Sequence, residues 1–345
     1  MTADTSPSGR SVRRARSTRS PRIAAAAEPR FIPGASLRSR ILAESVRMTV
    51  KPALELWARW PSPLWPAGAL DLAARVVPPA RGVGRRRVRL AHCDAEWLQA
   101  RDAMRDAVVL YLHGGGFLTC GLNTHRGLVS HISASAGAAV LSVDYRMLPK
   151  HPIDSAIADG VAGYRWLLEQ GFEGKRIVIA GDSAGGYLTF ATAIALAELG
   201  LPRPAGLVAL SPLTDMNPAA KLAHPGADGC PLIPRSVLVS LARLAAAKTD
   251  PASRVSPVDG ALAGLPPVLI HVGSTEILYP DAELMAQRLG AAGVPVTLEV
   301  WDRQIHVFQA AAGIIPEADR AIARVGEFIR ACTPAAAAPA LTPAV

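Results

Sequence analysis

The sequence predicts an α/β fold: a mostly parallel central sheet with helices on both faces. Two observations point there. From Ala107 onward, short apolar runs alternate with stretches of helical spacing, which is the rhythm of parallel strands joined by crossover helices. A chain of 345 residues, half of them hydrophobic, can also bury one large core. A third observation narrows the chemistry. The third apolar run ends in Gly181-Asp182-Ser183-Ala184-Gly185, a G-x-S-x-G pattern on a strand-to-helix turn.

The elements follow in order. Residues 1–30 are rich in Arg, Ser, Ala and Pro and read as a disordered basic tail. Arg13-Arg14 resembles part of an export signal, but the apolar stretch after it is only "IAAAA" before Glu28. That is too short, so a cytoplasmic location is expected. Leu37, Ile41, Val46, Met48, Leu54 and Trp57 have helical spacing, broken at Pro52 and again in "PSPLWPAGAL"; two short helices joined by loops are expected. "RRRVRLAHCDAEWLQA" reads as an antiparallel pair of edge strands. The regular part begins with the runs "AVVLYLH", "AAVLSVDY", "RIVIAGD" and "GLVALSP". It ends with "PVLIHVG" and "VTLEVW", with a helix after most of them. Residues 213–266 interrupt this rhythm with a Pro-, Ala- and Gly-rich excursion holding one helix, "RSVLVSLARLAAAK". A long insertion in a regular chain is usually a lid or a binding loop. Residues 336–345 read as a second disordered tail.

Charge and composition exclude several function classes. The net charge is +9, but residues 1–90 hold 18 Lys and Arg against 5 Asp and Glu, while the other 255 hold 19 against 23. The positive charge belongs to the N-terminal part. No aromatic residues interleave with the tail arginines, so no nucleic-acid partner is expected. No run of 18 apolar residues is present, so no membrane span is expected. Cysteines 93, 120, 230 and 332 lack metal-ligand spacing and read as free thiols. There is no HExxH, P-loop or dinucleotide fingerprint, so neither a metal nor a cofactor is expected.

A serine hydroxyl needs a base, a group that orients the base, and donors for the oxyanion. Ser183 has small neighbours that allow a tight turn, and it opens a helix whose dipole favours negative charge. His113-Gly114-Gly115-Gly116-Phe117 ends the first apolar run. The N–H groups of Gly115 and Gly116, with that of Ala184, can form an oxyanion hole. His113 reads as a support of this loop rather than as the base. The base should come late, and His306 follows the last strand, at the edge that carries ligands in open α/β folds. His271 lies inside an apolar run and reads as core. Glu276 and Asp281 both follow the preceding strand. Glu276 is preferred as the acid, because Asp281 has a sufficient reason as a helix N-cap.

"HGGGF", "SVDYRMLPKHPIDSAIAD", "GDSAGG", "SPLTD", "LPPVLIHVGSTEIL" and "HVF" occur in this order. As a set over residues 90–330 they resemble the bacterial hormone-sensitive-lipase family (family IV esterases) of the α/β-hydrolases. The resemblance implies an α/β-hydrolase fold and a Ser183–Glu276–His306 triad. It also implies an oxyanion hole of Gly115, Gly116 and Ala184, with Asp182 in a positioning role. It further implies a cap made by the N-terminal helices and part of 213–260, so that 31–90 holds cap helices and edge strands and 91–335 the catalytic domain. Glu276 stands where many members have Asp, and Ile277 where they often have Pro.

The expected function is therefore a serine carboxylic-ester hydrolase for short to medium acyl chains, acting through an acyl-enzyme on a small-molecule ester. Lactones are a further candidate class. Two other readings stay open: an amidase or peptidase on the same triad, and a non-enzymatic small-molecule binder on the same fold. Assembly is open as well, with a homodimer as one option. Phe31, Trp57, Trp60 and Trp65 either line an acyl pocket or pack the cap.

Overall fold

The computed structural model describes residues 28–61, 67–76, 78–248 and 256–334. Both expected tails lie almost wholly outside these residues, and Trp65 does too. The strands are β1 (Arg30–Ile32), β2 (Val83–Arg89), β3 (Asp94–Ala100), β4 (Met104–Leu112), β5 (Ala138–Asp144), β6 (Ile177–Asp182), β7 (Gly206–Leu210), β8 (Val268–Gly273) and β9 (Val296–Trp301). They form one sheet in the order β1-β9-β8-β7-β6-β4-β5-β3-β2. All pairs are parallel except β2–β3 and β3–β5. The helices are α1 (Leu37–Arg59), α2 (Ala67–Ala73), α3 (Leu122–Ala136), α4 (Ile153–Glu169), α5 (Ala184–Glu198), α6 (Ala219–Ala223), α7 (Arg235–Lys248), α8 (Tyr279–Ala291) and α9 (Pro316–Cys332).

The central strands are fully buried along their length. That is why they read as continuous apolar runs rather than as alternating ones. The core divides at the sheet. On one face Leu110, Ile179, Leu207 and Ile270 pack under α4, α5 and α8; on the other Val109, Tyr111, Val178 and Val208 pack under α3 and α9.

Four features differ from the sequence reading. The N-terminal helix runs unbroken for 23 residues with Pro52 inside it. Pro52 is exposed on the outer side, and the helix is held on both sides of it. Arg47 and Lys51 donate to the carbonyls of Gly229 and Cys230, and Ser240 Oγ donates to the carbonyl of Ala58. These tertiary bonds offset the backbone bond a proline removes. The pair β2–β3 is antiparallel as read, but β3 also pairs with β5, so only β2 is at the edge. The other edge is β1, a three-residue strand that pairs with β9. The excursion holds the short helix α6 besides α7. The four cysteines are free, as the sequence reading expects.

Among the described residues no helix is long and apolar enough to cross a membrane.

Candidate active site

Ser183 sits between β6 and α5 with φ 53° and ψ −117°, a backbone region that stores about 1–3 kcal/mol in a non-glycine residue. The surroundings hold it there. Its N–H donates to Leu210 O at 2.9 Å, and its carbonyl accepts from Gly186, Tyr187 and Leu213 N–H at 2.9, 3.2 and 3.0 Å. The turn is so close to the neighbouring strand that a Cβ at Gly185 would lie 1.9 Å from Leu112 O, and one at Gly186 2.6 Å from Pro212 Cβ. The Ser183 side chain makes no capping bond to α5. An N-cap serine would make one, so the hydroxyl is free of that structural duty.

Glu276 and His306 are brought together. Glu276 follows β8, His306 follows β9, and His306 Nδ1 lies 2.7 Å from Glu276 Oε2. The glutamate is buried, and its other oxygen accepts from Ser211 Oγ at 2.7 Å and from Gly273 N–H at 2.5 Å. Ser211 Oγ in turn accepts the Val307 N–H at 3.0 Å, which ties the residue after the histidine to the same carboxylate. A Cβ at Gly273 would meet Gln304 O at 2.1 Å, so this corner also needs a glycine. No hydrogen bond joins Ser183 Oγ to His306. A nucleophile–base bond that is long without substrate and tightens in the complex is ordinary behaviour.

Asp281 has a different place. The N-cap of α8 is Leu278, not Asp281. Asp281 is buried, accepts from the Thr214 and Asp215 N–H groups at 2.8 and 3.0 Å, and pairs with buried Lys221 at 2.8 Å. Burial raises the Asp281 pKa against the pull of Lys221. Its work is to pin the loop after β7, and it makes no bond to His306.

The glycine loop is fixed by Asp182. One carboxylate oxygen of Asp182 accepts from Tyr111 OH at 2.7 Å and Gly114 N–H at 3.1 Å; the other lies 3.2 Å from His125 Nε2. Burial alone would raise the Asp182 pKa, but the charge of His125 and these bonds hold it below the ordinary value. A Cβ at Gly114 would lie 2.1 Å from Asp182 Oδ2. His113 is fully buried, stacks on Tyr145 at 4.3 Å and places Nδ1 2.7 Å from Gly114 O. Burial and the nearby His125 charge push its pKa down to about 4. It is therefore neutral at pH 7, with Nδ1 donating to the carbonyl. Gly115 and Gly116 have φ 112° and 63°. Neither N–H donates to a protein acceptor, so both remain available to a ligand. A Cβ on Gly116 would lie 3.8 Å from Leu241 of α7, which puts that helix over the loop.

Beside this loop lies a narrow cleft lined by Leu213, Met216, Leu238, Leu241 and other residues of the excursion. A larger, charged hollow between α1 and the start of α7 holds none of the residues above. Phe31 and Trp60 are exposed and Trp57 is half-buried. His271 is fully buried, 3.1 Å from Glu299, and is part of the core.

Three participants escaped the sequence reading. Ser211 stands in "SPLTD", just past the strand that separates Ser183 from Glu276; its place at that edge was the available signal. Tyr111 and His125 carried none, because only the packing of β4 and α3 against β6 brings them to Asp182.

Comparison with known proteins agrees with the geometry. Residues 109–310 match the family described as alpha/beta hydrolase fold. The esterase LipU of Mycobacterium tuberculosis is 44% identical over 83% of this chain and all of its own. The carboxylesterase/phospholipase LipF of the same species is 40% identical over 87% of this chain and 83% of its own. Among solved structures, an esterase from the bacterial hormone-sensitive lipase family superposes with a TM-score of 0.77 at 36% identity, over 87% of this chain and all of that one. EstE5 superposes at 0.78, with 36% identity, over 87% of this chain and 99% of its own. The chain belongs to the alpha/beta hydrolase family, in its bacterial hormone-sensitive-lipase branch.

Proposed function

We propose that Ser183 is the nucleophile of this serine carboxylesterase, with His306 as its base and Glu276 as the group that orients the base. The observation that carries this reading is the 2.7 Å bond between His306 Nδ1 and a buried Glu276 carboxylate, at the same edge as a strained serine with no capping duty. All the other Glu276 contacts are donors, so the carboxylate accepts the Nδ1 proton and leaves Nε2 bare as a base. Ser183 Oγ attacks the ester carbonyl and its proton passes to Nε2. The oxygen that becomes negative is met by the N–H groups of Gly115, Gly116 and Ala184. The proton then goes to the leaving alcohol. Water, deprotonated at the same nitrogen, splits the acyl-enzyme and restores Ser183.

Leu213, Leu238 and Leu241 of the excursion offer apolar contact beside Gly116. We propose short to medium acyl chains as the substrate class, in keeping with the esterase relatives. The helices α1, α2, α6 and α7 act as the cap, with 91–335 as the catalytic domain.

A p-nitrophenyl ester series from acetate to palmitate tests the acyl preference, and turnover should fall steeply beyond medium chains. A fluorophosphonate probe with peptide mapping tests the nucleophile. One adduct per chain on Ser183 is expected; an adduct elsewhere overturns the assignment.

A further inference from the structure

An ordinary surface helix turns its apolar stripe inward and its charged face outward. Helix α1 also carries an apolar stripe outward. At 100° per residue, Leu37, Ile41, Met48, Pro52 and Leu56 fall within an arc of about 100°. That arc faces solvent: Leu37 is 73% exposed, Ile41 58%, Met48 71% and Leu56 48%, with Trp60 at 67% just past the helix end. The inward face is a separate one, with Ser39, Ala43 and Ala58 buried and Leu42, Val46, Leu54 and Trp57 half-buried. The outward stripe is thus apolar surface with no partner among the described residues, and such patches mark interaction sites.

The charge around the stripe says what kind of partner fits. Arg47 and Lys51 are turned to the excursion, which leaves Arg38, Arg40 and Arg59 exposed on α1 against Glu44 and Glu55, and residues 1–27 before it hold six Arg and one Asp. An apolar face with basic residues around it suits an anionic lipid surface, which accepts the apolar side chains among its acyl groups and the cations at its headgroups. A second copy of this chain fits less well, because an antiparallel twofold pairing through α1 would set Arg38 of one copy against Arg59 of the other. The residues before β1 fit less well too. Their only apolar stretch is Ile23 followed by four alanines.

We infer that α1 docks this esterase on anionic lipid surfaces, its outward Leu37–Leu56 stripe lying in the headgroup–acyl boundary.

The test is co-sedimentation of the full-length protein with vesicles of phosphatidylcholine alone and of phosphatidylcholine with 30% phosphatidylglycerol. Binding to the anionic vesicles should be at least about tenfold stronger and should weaken as salt rises. Combining Leu37→Ser, Ile41→Ser and Met48→Ser should lower it at least about tenfold. All three positions are exposed, so circular dichroism and turnover of a soluble ester should not change. Arg38→Gln and Arg59→Gln should each weaken binding about fivefold. Equal binding to both vesicles, or none, overturns the inference. So does binding that vanishes when residues 1–27 are removed but survives the triple substitution. A wild-type dimer that the triple substitution converts to monomer would assign the face to a second copy instead. Sedimentation reads binding alone, so the outcome is independent of the catalytic assignment.

Discussion

Replacing Glu276 with glutamine changes one oxygen for an NH2 and almost nothing in volume. The structure says how much that exchange matters. The carboxylate faces donors on every side: His306 Nδ1, the Ser211 hydroxyl and the Gly273 N–H. An amide can offer its oxygen to only one side. If the NH2 faces His306, Nδ1 must become the acceptor and the ring proton moves to Nε2, so the base is blocked in its wrong tautomer. If the NH2 faces the other way, it meets the Gly273 N–H, which cannot rotate away, and a buried donor pair costs about 1–3 kcal/mol. The first arrangement avoids that clash and is the expected one. In a serine protease the equivalent loss of the correct tautomer lowers kcat about 10⁴-fold, which corresponds to about 5 kcal/mol of barrier. Glu276→Gln should therefore lower kcat on p-nitrophenyl butyrate by about 10³–10⁴-fold, with little change in KM. Asp281→Asn should leave kcat within about tenfold, because it loosens the loop after β7 without touching the imidazole. A Glu276→Gln enzyme within tenfold of wild type, or an Asp281→Asn enzyme that loses more, would refute the assignment of the acid.

Other outcomes follow from the same contacts. Ser211→Ala removes the hydroxyl that donates to Glu276 and leaves the Val307 N–H without its acceptor; kcat should fall about 10–100-fold, measured on the same ester. Gly185→Ala forces a Cβ to 1.9 Å from Leu112 O, and urea unfolding should show a loss of at least about 1–3 kcal/mol. His113 has a folded pKa of about 4, below the usual 6.5, because it is buried beside His125. A depressed histidine is protonated first in the unfolded chain, so its contribution is intact above about pH 6.5 and is lost as pH falls toward 4. Wild type should lose about 2 kcal/mol more than His113→Asn between pH 7 and pH 5, by urea unfolding at each pH; equal losses would contradict the buried neutral imidazole.

The elbow was legible because its demands are local. A serine at positive φ between a strand and a helix needs small neighbours, and Gly181, Ala184, Gly185 and Gly186 stand beside it in the sequence. The glycine loop was legible for the same reason, with three glycines directly after a buried strand. The role of Ser211 was not, because it depends on β7 lying between β6 and β8, a fact of sheet order. Nor was the place of Asp281 beside Lys221, a partner sixty positions earlier on α6. The strand β1 is only three residues long and pairs with a strand nearly 270 positions away, so no periodicity could reveal it. Pro52 misled for a physical reason. A proline breaks an isolated helix, but here it lies on the outer side of a helix clamped to the excursion by Arg47, Lys51 and Ala58.

The central claim is that ester hydrolysis runs through Ser183. The most direct measurement is turnover of p-nitrophenyl butyrate by wild type and Ser183→Ala, purified in parallel and matched by circular dichroism and unfolding midpoint. Turnover by the folded variant should fall to the uncatalysed background. Retained turnover in the folded variant would place the nucleophile elsewhere and contradict the whole assignment of the site.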